Sequence, residues 1–144
     1  QSMILTNETE MVLTPTYHVF EMYNVHQNAE YLETEAISPA VKSSRETMVP
    51  VVDATASRKD GKMHISLVNT DLKNAKTVVV KFDNAGAVKK IASARVLTSG
   101  DVHDYNDFGK ADVVAPKAFK DYKITKAGIE FTLPACSIVA VEAE

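Results

Sequence analysis

The hydrophobic period of this chain changes once, near residue 30, and that change limits the folds open to it. Residues 11–27 read as one helical segment, and from Tyr31 onward the apolar residues alternate instead. Thr14-Pro15 marks the helix start: a hydroxyl at the N-cap accepts from a free backbone N–H, and proline follows at the first helical position, where no N–H is missed. Thr16, Val19, Phe20 and Tyr23 then fall on one face at i, i+3, i+4 and i+7, widened by Met22 and His26. Asn28 is suited to a left-handed stop. A face this broad needs a partner, which either a sheet or a neighbouring domain supplies.

The remainder predicts about eight short strands. Tyr31–Ser38 runs to Pro39, and 40–49 reads as loop. Val51–Ser57 and Lys62–Asn69 are joined by Asp60-Gly61, a tight-turn pair that predicts a hairpin, with Met63, Ile65 and Leu67 on one face and His64 toward solvent. Thr77–Phe82 points Val78, Val80 and Phe82 inward, and Asn84-Ala85-Gly86 turns the chain into Val88–Thr98. After a long acidic loop over 99–116 come Asp121–Thr125, Ile129–Leu133 and Ser137–Ala143, broken by Ala127-Gly128 and Pro134. Many short strands without helices between them predict antiparallel pairing in a sandwich or barrel.

Composition narrows the function classes. At 144 residues, with 45% hydrophobic and 24% charged residues, the chain can bury a core of its own. A net charge of −3 offers no electrostatic reason to bind nucleic acid or an anionic membrane. Its longest apolar run is too short to span a bilayer. One cysteine, Cys136, excludes an internal disulfide, and its place before Ile138-Val139-Ala140-Val141 predicts a small core residue near a strand start. The chain opens with Gln1, and Met3-Ile4-Leu5 already reads as strand, which suggests an excised or processed fragment.

The string Met11-Val12-Leu13-Thr14-Pro15-Thr16-Tyr17-His18-Val19-Phe20-Glu21-Met22-Tyr23 resembles a segment of the α-L-arabinofuranosidases of glycoside hydrolase family 51. Gln1–Thr6 resembles the family's final barrel strand, and Leu133-Pro134-Ala135-Cys136-Ser137-Ile138-Val139 its proline-flanked last sandwich strand. Leu67-Val68-Asn69 and Val114-Ala115-Pro116 fit less specifically. The resemblance implies a mainly β fold: an antiparallel, jelly-roll-like β-sandwich over 30–144. It would be preceded over 1–29 by the last strand and helix of a (β/α)8 barrel. It implies a parent enzyme that removes terminal α-L-arabinofuranosyl residues from arabinose-containing glycans with retention, and no cofactor. The sandwich would buttress the upstream barrel of the same chain, which holds the glycan, and would offer contacts for a homo-oligomer. Retaining hydrolysis needs two carboxyl groups about 5–5.5 Å apart across one sugar. The resemblance places both before Gln1, so this stretch alone should be silent. Two other classes stay open beside it: a stand-alone carbohydrate-binding module and a protein-interaction sandwich. The compartment is open too, between cytoplasm, periplasm and secretion.

Candidate residues follow from both readings. Asn7-Glu8 repeats the dipeptide that holds the family's acid/base glutamate, but it sits in the polar loop Thr6–Glu10 and reads as a decoy; Asn7-Glu8-Thr9 is also a glycosylation sequon. If Leu5 ends the last barrel strand, residues 6–14 form its βα loop, and Thr14 borders the sugar pocket. Val19, Phe20 and Tyr23 are the expected interdomain packing residues. In the loop 101–109, Asp104, Asn106 and Gly109 match positions one, three and six of a calcium loop. Phe108 and Ala115 break the pattern, and a solvated acidic loop is the plainer reading. Tyr105, Phe108, Phe119 and Tyr122 could stack on sugars, but such residues more often serve in cores or interfaces. His18, His26, His64 and His103 have no zinc-site spacing.

Overall fold

The computed structural model describes residues 2–83 and 88–144. Among these residues the fold is mainly β, with a single α-helix, and the turn expected at Asn84-Ala85-Gly86 lies outside the described residues. In chain order the elements are β1 (Ile4–Thr6), β2 (Met11–Leu13), α1 (Pro15–Tyr23) with a 3-10 turn at Asn24–His26, β3 (Glu30–Leu32), β4 (Ala40–Lys42), β5 (Met48–Pro50), β6 (Val52–Lys59) and β7 (Lys62–Asn69). There follow β8 (Lys76–Val80), β9 (Ile91–Leu97), β10 (Lys117–Ala118), β11 (Tyr122–Thr125), β12 (Gly128–Leu133) and β13 (Ser137–Ala143).

Two antiparallel sheets form the sandwich. The larger runs β10-β9-β13-β7-β6-β3, and the smaller runs β11-β12-β8. Register explains the core: Val139 sits opposite Leu67, Val141 opposite Ile65 and Ala143 opposite Met63. Residues directly opposite share a face, so these six point together toward the small sheet. There they meet Ile129, Phe131 and Leu133 of β12, none with exposed surface. Phe119 and Tyr122 lie against Phe131, with ring centroids 6.2–6.4 Å apart, which makes them core aromatics rather than a sugar platform.

The other face of the large sheet is covered as well. Met22 of α1, with no exposed surface, packs with Leu97 and Val114 and against Val19, Ile138 and Ala140. The molecule therefore has a third, helical layer, and this corrects the expectation for His64. Alternation turns it away from the core side, but it is 7% exposed because the helical segment lies over that face.

The local turn signals act as the sequence predicts. Asp60 and Gly61 both have positive φ, 53° and 76°, and join β6 to β7 as a two-residue hairpin turn. Asn28 is left-handed at φ 54°. Several boundaries differ from expectation. Tyr31–Ser38 pairs only over β3, and Ile37 is almost wholly exposed. Within 40–49, where a loop is expected, β4 and β5 form a ribbon, with Val41 opposite Val49 and Glu46 left-handed in its turn. Three-residue strands leave too little sequence for a period to show. Met11–Leu13 is extended rather than helical and pairs antiparallel with Ile4–Thr6. Cys136 is exposed at φ 44°, on the bend just before β13, rather than in the core.

Candidate functional site

The hairpin β1–β2 and the helix α1 form one unit, joined at Thr14. The Thr14 backbone is extended, and its Oγ1 accepts from the Tyr17 N–H at 3.5 Å, as an N-cap does. The same hydroxyl lies 2.9 Å from the Met3 carbonyl oxygen and 3.0 Å from that of Ser2, to which it donates, while the Thr14 N–H donates to Met3 at 3.0 Å. Thr14 is 5% exposed. Its chemistry is consumed in tying the helix start to the chain's first residues.

The helix is set on the sheet by two kinds of contact. Met22 and Val19 make the apolar one, and Glu21 meets Arg95 of β9 at 2.9 Å. Val19 and Tyr23 are half-buried, whereas Phe20 is 62% exposed. The three expected packing residues therefore do not share one exposure. The buried positions of the helix are His18 and Met22, one turn apart. The Nε2 atom of His18 is buried without a hydrogen-bond partner among the described residues. Burial, with the Asp53 carboxylate adding to it, raises the Tyr23 phenol above its ordinary pKa.

Beyond the helix, His26 turns into the sheet. Its Nδ1 lies 2.7 Å from the Ser57 hydroxyl and its Nε2 2.9 Å from that of Ser66. Both serines are buried. Burial, then the neighbouring His64, lowers the imidazole pKa. The ring acts as a structural bolt between the helical segment and the sheet.

The long loop over 99–116 is not wholly solvated. Asn106 is 2% exposed, and its amide is satisfied three times at 2.8 Å: Oδ1 accepts from the Val114 N–H, and Nδ2 donates to the Val114 and Leu13 carbonyls. That arrangement removes Asn106 from the calcium pattern. The sequence singled out Asn106 only as a calcium-loop position, and gave no signal of its bonds to Leu13 and Val114. Around it, His103 donates to Asp101 from both its backbone N–H and its Nδ1, each at 2.8 Å, and these bonds lower the Asp101 pKa. The Lys110 ammonium sits 3.5 Å over the exposed Tyr105 ring.

Asn7-Glu8 lies at the tip of the β1–β2 hairpin. Asn7 Oδ1 accepts from the Thr9 and Glu10 N–H groups at 2.9 and 2.7 Å, closing the turn, and Glu8 is exposed. A general acid needs a buried or charge-coupled setting, and this exposed carboxylate has neither among the described residues. Elsewhere, a surface groove of about 640 Å³ is lined by Lys73, Thr98, Ser99, Lys117 and Cys136. No helix of the described residues is long and apolar enough to cross a membrane.

With this geometry established, comparison with known proteins is specific. The family described as the alpha-L-arabinofuranosidase C-terminal domain matches residues 1–137. An intracellular exo-alpha-L-arabinofuranosidase of Bacteroides ovatus is 46% identical over 143 residues, covering 99% of this chain and 27% of that protein. The crystal structure of a family 51 arabinofuranosidase from Xanthomonas axonopodis pv. citri superposes with a TM-score of 0.90 at 36% identity, over 100% of this chain and 29% of that one. AbfB of Bifidobacterium longum, a family 51 enzyme 19% identical, shares the fold with a TM-score of 0.87 over 99% of this chain and 28% of its own. The chain thus spans somewhat more than a quarter of these relatives' length. Matched over nearly all its residues, the chain belongs to the alpha-L-arabinofuranosidase C-terminal domain family.

Proposed function

We propose that this chain is the non-catalytic C-terminal sandwich of a retaining α-L-arabinofuranosidase and that it buttresses an upstream (β/α)8 barrel. The observation that carries the reading is the exposed apolar surface of the hairpin–helix unit. Met3, Ile4, Met11 and Phe20 are 38–63% exposed on a unit whose opposite side is already packed on the sandwich. Apolar side chains left exposed on the hairpin and the helix suit a packing partner better than water. In this reading residues 6–14 border the sugar pocket, with Thr14 holding their shape from behind. Phe20, rather than Val19 or Tyr23, meets the barrel wall. The small sheet supports the reading too: three strands face six, and among the described residues β8 and β11 are its outer strands, suited to pairing with strand material from elsewhere in a longer chain.

The test is enzymatic. The isolated chain should release no arabinose from aryl α-L-arabinofuranosides or arabinan, whereas a longer protein that contains it should. Turnover by the chain alone that Glu8→Gln abolishes would overturn the assignment. Retention of the chain by arabinan in affinity electrophoresis would favour a carbohydrate-binding module instead.

A further inference from the structure

A continuous polar path crosses from the sandwich to the first residues of the chain. Val114 belongs to the apolar contact between helix and sheet, packed with Met22 and Leu97. It holds the Asn106 side chain by two bonds, and Asn106 donates its remaining N–H to Leu13, the last residue of β2. The next residue, Thr14, caps α1 and binds Ser2 and Met3. Only a short amide meets all three demands on Asn106, since two carbonyls need donors and one N–H needs an acceptor. Aspartate would keep the acceptor and turn a carboxylate toward two carbonyl oxygens. Alanine would leave two buried backbone groups of Val114 and the partly buried Leu13 carbonyl without this partner.

We propose that Asn106 is a positioning residue: through Leu13 and Thr14 it fixes the orientation in which an upstream catalytic unit joins the sandwich. The inference rests on the reading of this chain as the C-terminal part of an arabinofuranosidase. It adds that the sandwich shapes the hairpin at the junction through one side chain, beyond supporting the barrel by contact area. A loosened hairpin would leave bound sugar misplaced for the reaction, so turnover would suffer more than binding.

Hydrogen exchange on the chain tests the clasp directly. In Asn106→Ala the amides of residues 4–14 should exchange at least tenfold faster, while those of β7 and β13 keep their rates. Should that variant fail to fold, Asn106→Asp, which retains the acceptor for Val114, carries the same measurement. In the longer enzyme either substitution should lower kcat about tenfold with KM changed less than twofold. The core variant Val139→Ala, assayed well below its melting temperature, should change neither. Unaltered exchange over 4–14, exchange that rises equally in β7 and β13, or equal kcat losses in the Asn106 and Val139 variants would overturn the proposal. An unmodified longer enzyme without arabinofuranosidase turnover would sink the functional reading instead, and the exchange rates would still decide the clasp.

Discussion

The Nε2 atom of His26 lies 2.9 Å from the hydroxyl of Ser66, a residue with no exposed surface, and so fastens the end of the helical segment to an inner strand of the large sheet. Ser57 closes the other side of the ring at 2.7 Å. Replacing His26 with alanine strands two buried hydroxyls, which should lower stability by about 2 kcal/mol in urea unfolding. The pH dependence has a definite sign. Burial and His64 hold the folded pKa of His26 below its ordinary value, so the unfolded chain takes up the proton more readily. This contribution to stability is complete above about pH 6.5 and falls as the pH drops toward the lower folded value. Melting curves of the wild type and His26→Gln between pH 7.5 and 5 should converge with falling pH. Parallel curves would contradict the assignment.

Helix substitutions should separate the two sides of α1. Met22 has no exposed surface and touches Leu97 and Val114, so Met22→Ala should cost about 2–5 kcal/mol. Phe20 is largely in solvent, and Phe20→Ser should change the stability of this chain by less than about 0.5 kcal/mol. Thermal denaturation of the two variants side by side decides the matter, and a comparable loss in Phe20→Ser would place the buried face elsewhere.

Gly128 has φ 133°, and a Cβ there would collide with the Val80 carbonyl of the adjoining strand. Neither strain nor collision can be relieved without separating β12 from β8. Gly128→Ala should therefore destabilise by more than about 1 kcal/mol, beyond the usual glycine-to-alanine effect. Unfolding at unchanged denaturant midpoint would refute this.

Asp71 organises the turn between β7 and β8. Its carboxylate meets the Lys76 ammonium at 2.7 Å and accepts from the Lys73 and Asn74 backbone N–H groups at 3.0 Å, which holds its pKa well below the usual carboxylate range. A lowered folded pKa stabilises above the unfolded value, about 3.9, and that stability is lost as acid protonates the group. Asp71→Asn should be less stable than wild type at pH 7 and lose less on acidification from pH 4 to 2. Equal acid sensitivity in the two proteins would show that Asp71 titrates as an ordinary surface acid.

Much of the fold was legible because its signals are local. Asp60-Gly61, Asn28 and the Thr14-Pro15 cap each act through neighbours in sequence, and each stands as its residue type predicts. The alternation in β7 correctly assigned Met63, Ile65 and Leu67 to the core. It failed for His64, because period two distinguishes the faces of a strand and does not say whether the second face is covered. The roles of His26 and Asn106 were hidden for a related reason. The partners of His26 lie 31 and 40 residues away, and the Asn106 bond that reaches β2 spans 93 residues, where no spacing rule reaches. Cys136, expected as a small core residue near a strand start, is exposed because its backbone takes the left-handed bend just before β13.

The β4–β5 ribbon invites a different use of this scaffold. Its two ends are already joined below it, since the Val51 N–H donates to the Pro39 carbonyl at 2.8 Å, and no residue from 40 to 50 enters the core. Loop-closure cost rises only slowly with length once such a neck exists. The ribbon is therefore a natural port for cargo: an epitope, a fluorescent label or an entire small domain could be spliced between Ser43 and Thr47 while both sheets below kept their registers.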